Sequence, residues 1–195
     1  MRDLSSKPRD LKLIDTLESF ERIRFEGSVW RAVREGKDPV VGPRSGGRWD
    51  PGDFDVLYTS LEADGAIAEI DFVLSSLPVR PSKVRFVLHE IAVRANKIMQ
   101  LFDINRLSDL GVDMSGLAGT DYQGTQEIGD AAYFLDSDGL IVPNARWQCN
   151  NQVLFTDRIT PEALEVTKSL PVDFEEWRTK VKETLRGQRS ARQVE

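Results

Sequence analysis

"SGGRWDPGDFDVLYTSLEADGAIAEIDFVLSSL", Ser45 to Leu77, passes through three kinds of local structure in one run. Gly46 and Gly47 make a turn that exposes Arg48 and Trp49. "DVLYT" (Asp55 to Thr59) is rich in β-formers, as a strand is. From Leu61 the period changes: Ala63, Ala66, Ile67, Ile70, Val73, Leu74 and Leu77 fall on one helical stripe, with Glu69 just off its edge. Pro78 and Pro81 end that helix.

The same reading extends outward. "LKLIDTLESFERIR" (Leu11 to Arg24) has apolar residues at helical spacing and predicts an amphipathic helix packed outside the domain. "SVWRAVR" (Ser28 to Arg34) predicts a strand, and "KVRFVLHEIAV" (Lys83 to Val93) another, with an irregularity near Glu90. "DINRLSDLG" and "TQEIGDAAYFL" read as short helices with Asp103 and Thr125 as candidate caps, the first closing on Gly111. "GLIVP" and "QVLFT" read as strands. The C-terminal part reads as two helices, one starting at Thr160-Pro161-Glu162 and one capped by Asp173 with Glu176, then a basic polar end. Strands are not regularly interleaved with helices, so the prediction is a mixed α+β domain and not a doubly wound parallel sheet.

Composition narrows the function. The chain has 195 residues, 40% of them hydrophobic, the size of one domain with decorated ends. Its 26 Lys and Arg against 32 Asp and Glu give a net charge of −6, which disfavours a general nucleic-acid binder. One cysteine, Cys149, allows no internal disulfide, and one histidine, His89, allows no His/Cys zinc cluster within the chain, so no metal is expected. His89 lies in a predicted strand and reads as a core or strand-surface imidazole. No apolar run approaches the roughly 20 residues needed to cross a bilayer, and the N-terminus lacks a signal-peptide pattern. The expected location is the cytoplasm.

Five residues carry candidate chemistry. Arg31 and Arg48 both stand beside aromatic residues in or next to strands; such guanidinium groups can grip a pyrophosphate, or form ordinary surface ion pairs. Tyr58 and Trp49 can offer rings for stacking, or pack in the core. Glu69 can face a cleft, or be a solvated flank residue like Glu62. A lone carboxylate suits one reaction class in particular. Ordinary glycosides need an acid and a base, but nicotinamide on the ribose of NAD is already cationic and leaves as a neutral amide. One carboxylate can then stabilise the ribose cation while arginines anchor the phosphates.

At these residues the sequence resembles the RES domain family, through "VWRAV", "SGGRWDPGDFDVLYTS", "AIAEI" and "GLIVPNARWQCNNQVLF", from Val29 to Phe155. The resemblance implies an ADP-ribosyltransferase-like fold, with short antiparallel β-sheets around an NAD cleft and helices at the periphery. It implies a toxin of a bacterial toxin–antitoxin pair that takes NAD as substrate and has a helix-turn-helix (Xre-type) antitoxin as partner. The family arginine falls on Arg31 and its glutamate on Glu69, with Arg48 and Tyr58 at further pocket positions. The family serine is replaced by Asn144, whose amide could still hold a ribose hydroxyl or a phosphate oxygen. On this basis Glu69, Arg31 and Tyr58 are the expected catalytic residues, and Arg31, Arg48, Trp49, Tyr58 and Asn144 the expected NAD contacts. The expected organisation is a helical extension over 1–25, the RES domain over 26–158, and C-terminal helices with a basic tail over 159–195.

The expected activity is cleavage of the nicotinamide–ribose bond with transfer of ADP-ribose to a target protein. Hydrolysis or phosphorolysis of NAD, with water or phosphate as acceptor, uses the same pocket. An inactive binding module is the third reading, kept open by Asn144. Thr59 and Ser60 are expected either to support NAD as strand hydroxyls or, for Ser60, to cap the helix carrying Glu69.

Overall fold

The computed structural model describes residues 9–44, 46–79, 81, 83–112, 119 and 121–192. Its centre is a six-stranded sheet: β1 (Arg22–Arg34), β2 (Val56–Ser60), β3 (Phe86–Gln100), β4 (Gly139–Pro143), β5 (Asn150–Phe155) and β6 (Leu164–Pro171). The order β1-β2-β5-β4-β3-β6, with a further β1–β3 pairing, closes five strands on themselves and leaves β6 outside on β3. This differs from the expected set of short antiparallel sheets. β1 and β3 are long, 13 and 15 residues, and pair antiparallel along their length, whereas β3 and β4 are parallel from Ile98 to Gln100. Closure removes the free edges that short separate sheets would leave.

Helices cover the outside: α1 (Leu11–Glu18), α2 (Ala63–Ser75), α3 (Ile104–Asp109), α4 (Gln123–Phe134) and α5 (Phe174–Arg192). Val29, Leu57, Ile91, Val93, Ile141 and Leu154, one or more from each of β1 to β5, form one buried cluster within the closed strands. A second cluster packs Leu17 of α1 and Ile128 of α4 against Leu140, Val153 and Phe155. A third sets Ala66 and Ile67 of α2 against Ala32 of β1 and Leu88 of β3. α5 is fastened to α2 by a hydrogen bond from Trp177 Nε1 to Asp64 (2.8 Å) and by the Arg178–Asp71 ion pair.

Several boundaries depart from the sequence reading. The helix expected over 11–24 ends at Glu18, and Arg22 to Phe25 already pair with β3, so part of the expected extension belongs to the sheet. The first C-terminal helix is a single 3-10 turn at Pro161–Ala163, followed by strand β6. Thr125 does not cap α4: its hydroxyl donates to the Tyr122 carbonyl, and Asp121 accepts the Gln123 N–H. Asp173 does cap α5, accepting from the Glu175 and Glu176 N–H groups, and the irregularity near Glu90 is a register shift against β6.

Gly129 shows how closely α4 approaches the loop before β2. A Cβ there would lie 1.9 Å from the Trp49 carbonyl oxygen. Gly129→Ala must push backbone from backbone, at a cost of about 1–3 kcal/mol. A fall in Tm of about 5 °C is expected in thermal denaturation; an unchanged Tm would mean that α4 and this loop are not in contact.

Candidate active site

β1 and β2 meet at one register pair, Trp30 with Ser60, and a cavity of about 1000 Å³ opens along this seam beneath α2. Arg31, Arg48, Tyr58 and Glu69 all line it. Residues from β1, the glycine turn, β2 and α2, far apart in the chain, thus share one space. The volume is at the upper end of the roughly 300–1,000 Å³ of small-molecule sites.

The glycine turn is held by a side chain that sequence reasoning passed over. Asp50 is fully buried; its carboxylate accepts the N–H of Gly46 (3.1 Å), the N–H of Gly47 (2.8 Å) and the hydroxyl of Tyr58 (2.7 Å). The Tyr58 oxygen in turn accepts the Trp49 N–H at 2.8 Å. Tyr58 is therefore a strut between β2 and the turn. Burial first, and then Asp50, push its phenol well above the usual tyrosine range, so it holds its proton throughout the working pH range. Gly47 is needed here, since a Cβ would lie 2.5 Å from the Tyr58 oxygen. An aspartate following a glycine pair and accepting from its amides is the signal that could have identified Asp50.

That frame aims Arg48 and buries its neighbour. The Arg48 guanidinium donates to the Gly119 carbonyl (3.2 Å), lies 4.4 Å from the centre of the Tyr122 ring, and has its pKa lowered chiefly by burial. Trp49 also borders the cavity, but it is 2% exposed and packed in the core with Leu17 and Phe54. A ring so enclosed is core packing rather than a stacking platform, contrary to the role expected for it.

Arg31 donates through Nη1 to the carbonyls of Pro39 (2.9 Å) and Val41 (3.0 Å). Desolvation brings its pKa down to about 10, with Asp38 opposing. The guanidinium is charged at neutral pH and loses its proton as pH rises through about 10. If it anchors an anionic substrate, KM for that substrate rises over the same interval, while an ordinary arginine would hold its charge beyond pH 12. Kinetics from pH 7 to 10.5, with circular dichroism to confirm folding, test this; a flat KM would mean that Arg31 either keeps its charge over this interval or does not hold the anion.

Glu69 accepts a hydrogen bond from Asn151 Nδ2 at 3.4 Å. Asn151 Oδ1 accepts from Asn144 Nδ2 (2.7 Å), and Asn144 Oδ1 accepts the N–H groups of Arg146 (2.7 Å) and Trp147 (2.9 Å). Asn144 is thus buried with both amide atoms engaged by the protein. It braces the loop after β4 and, through Asn151, steadies Glu69, which replaces the direct ligand contact expected of it. Asn151 was missed because the predicted strand began one residue later, at Gln152, leaving it in a loop. Ser60 does not cap α2, whose N-cap is Glu62; its hydroxyl accepts the Glu62 N–H and lies 3.3 Å from Cys149 Sγ. Thr59 donates to the Gln152 carbonyl at 2.7 Å.

A sequence model of the RES domain matches residues 28–178. The chain belongs to the RES domain family. Among curated relatives, the probable NAD(+) phosphorylase Rv3189 of Mycobacterium tuberculosis is 31% identical over 172 residues, covering 83% of this chain and 81% of that protein. The NAD(+) phosphorylase MbcT of the same species is 24% identical over 168 residues, covering 83% and 90%. The crystal structure of the M. tuberculosis MbcT-MbcA toxin-antitoxin complex matches this RES domain fold with a TM-score of 0.77, at 22% identity over 87% of this chain and 97% of that one. Among the described residues, no group of three or more His, Cys, Asp or Glu could hold a metal, and no helix is long and apolar enough to cross a membrane.

Proposed function

We propose that this RES domain protein cleaves the nicotinamide–ribose bond of NAD, passes the ADP-ribose unit to orthophosphate, and serves as the toxin of a toxin–antitoxin pair. The observation that carries this reading is the single cavity shared by Arg31, Arg48 and Glu69. The arginines bind the pyrophosphate; Glu69, steadied by Asn151, faces the ribose and stabilises positive charge as the bond to nicotinamide lengthens. Nicotinamide leaves with the bonding electron pair and needs no proton. Tyr58 acts by holding the glycine turn and keeping Arg48 in place. The closed strands with a cleft on their seam are read as an ADP-ribosyltransferase-like frame.

Transfer to a target protein is the less favoured outcome, because the relatives are named for phosphorolysis. The inactive-module reading loses its motive once Asn144 is a brace. The neighbouring toxin-antitoxin complex supports an antitoxin partner for this chain too, of the helix-turn-helix (Xre) type by resemblance. Exposed Val41, Phe72, Val73 and Leu77 at the cavity offer it apolar surface.

Incubation of the purified protein with NAD and orthophosphate, followed by mass spectrometry, tests the activity. Free nicotinamide and ADP-ribose bearing one additional phosphate are expected. Intact NAD would refute it, and ADP-ribose found attached to protein would restore the transferase reading.

A further inference from the structure

Five cationic side chains, Arg31, Arg34, Lys37, Arg48 and Arg146, line the cavity against two carboxylates, Asp38 and Glu69, although the chain as a whole carries −6. Arg31 is tied to two carbonyls, and Arg48 to the Gly119 carbonyl and the Tyr122 ring. Arg146 differs. Its guanidinium lies 3.3 Å from the centre of the Phe72 ring, it has no side-chain hydrogen bond or ion pair with any described residue, and its Nε is shut off from solvent without an acceptor. A buried N–H left without a partner is uncommon in folded proteins, and a guanidinium is well shaped to meet an oxyanion through two parallel hydrogen bonds.

Its place along the wall matters as much. Phe72 follows Glu69 by three residues on α2, so the two share a helix face one turn apart. Arg146, seated on Phe72, lies on the side of α2 that also carries Glu69, lines the same cavity, and lies in the field of Arg48, whose pKa it lowers. Two cations held near one another in a partly desolvated cavity attract an anion.

Resting on the phosphorylase reading of the site, we propose that Arg146, assisted by Arg48, binds the orthophosphate acceptor next to Glu69. An unprotonated oxygen of hydrogenphosphate forms a bond to the anomeric carbon of the nicotinamide ribose while the bond from that carbon to the nicotinamide nitrogen breaks. The bonding pair stays on the ring nitrogen and neutralises the pyridinium. The phosphate keeps its own proton, so no protein base takes part. Arg146 is then the residue that selects phosphate over water.

The test is a titration of orthophosphate at saturating NAD with the full chain, comparing wild type with Arg146→Gln. The phosphate concentration for half-maximal rate is expected to rise about tenfold or more, with KM for NAD changing less than about threefold and product shifting toward unphosphorylated ADP-ribose. Arg146→Lys, which keeps the charge but not the fork, should fall between the two, and it decides the matter if the Gln variant does not fold. Phosphate dependence equal to wild type, or a loss confined to KM for NAD, would overturn the acceptor site while leaving phosphorolysis intact. NAD consumption by wild type that is indifferent to phosphate would instead overturn the phosphorylase reading itself.

Discussion

Glu69→Gln lowers kcat for NAD cleavage by about two to three orders of magnitude, with KM for NAD changed little, when both enzymes are assayed under the same conditions. The amide keeps the size of the side chain and can still accept from Asn151, so the fold and the cavity remain. What it loses is the negative charge facing the ribose. That charge interacts weakly with the neutral ribose of bound NAD and strongly with the cation formed as nicotinamide departs, so the loss falls on the transition state. A thermal melt matching wild type excludes unfolding as the cause. Full activity in a folded Glu69→Gln protein would remove Glu69 from the chemistry.

Tyr58→Phe should cost about 3–5 kcal/mol of stability, seen as a fall in Tm of about 10 °C. The substitution removes one oxygen that serves two buried partners: it leaves the Trp49 N–H without its acceptor and the buried Asp50 carboxylate with one donor fewer. Because the same frame aims Arg48, KM for NAD should rise as well. Tyr58→Phe with wild-type Tm and KM would show that the hydroxyl is not the strut described. Loss of kcat alone, with stability and KM intact, would return Tyr58 to a direct chemical role.

How much of this was legible in the sequence depended on whether the deciding partner was local. α2 could be read because its apolar stripe continues for several turns, with a β-rich run before it and prolines after it. β6 could not: it is a peripheral strand, exposed along most of its length, and "TPE" before it looks like a helix start although it opens only one 3-10 turn. The first half of β1 was hidden because "RIRF" follows directly on a helical pattern, and only pairing with β3 makes it a strand. Arg31, Arg48 and Glu69 were found through motif resemblance, and the fold brings them to one cavity. The surroundings of Trp49 and Asn144 are packing that the motif does not show: Trp49 sits in the core with Leu17, and Asn144 bonds to Asn151 and to the N–H groups of the loop that follows it. Asn151 went unseen because its partner Glu69 lies on another element, far away in the chain, whereas Asp50 carried a local signal, its partners Gly47 and Gly46 standing three and four residues before it.

The most direct measurement is a crystal structure of the protein with a non-cleavable NAD analogue. The expected result places the pyrophosphate against Arg31 and Arg48, with the anomeric carbon of the nicotinamide ribose within about 3–3.5 Å of a Glu69 carboxylate oxygen. An analogue bound outside the seam between β1 and β2, or oriented with its ribose away from Glu69, would contradict the assignment of this cavity as the site of bond cleavage.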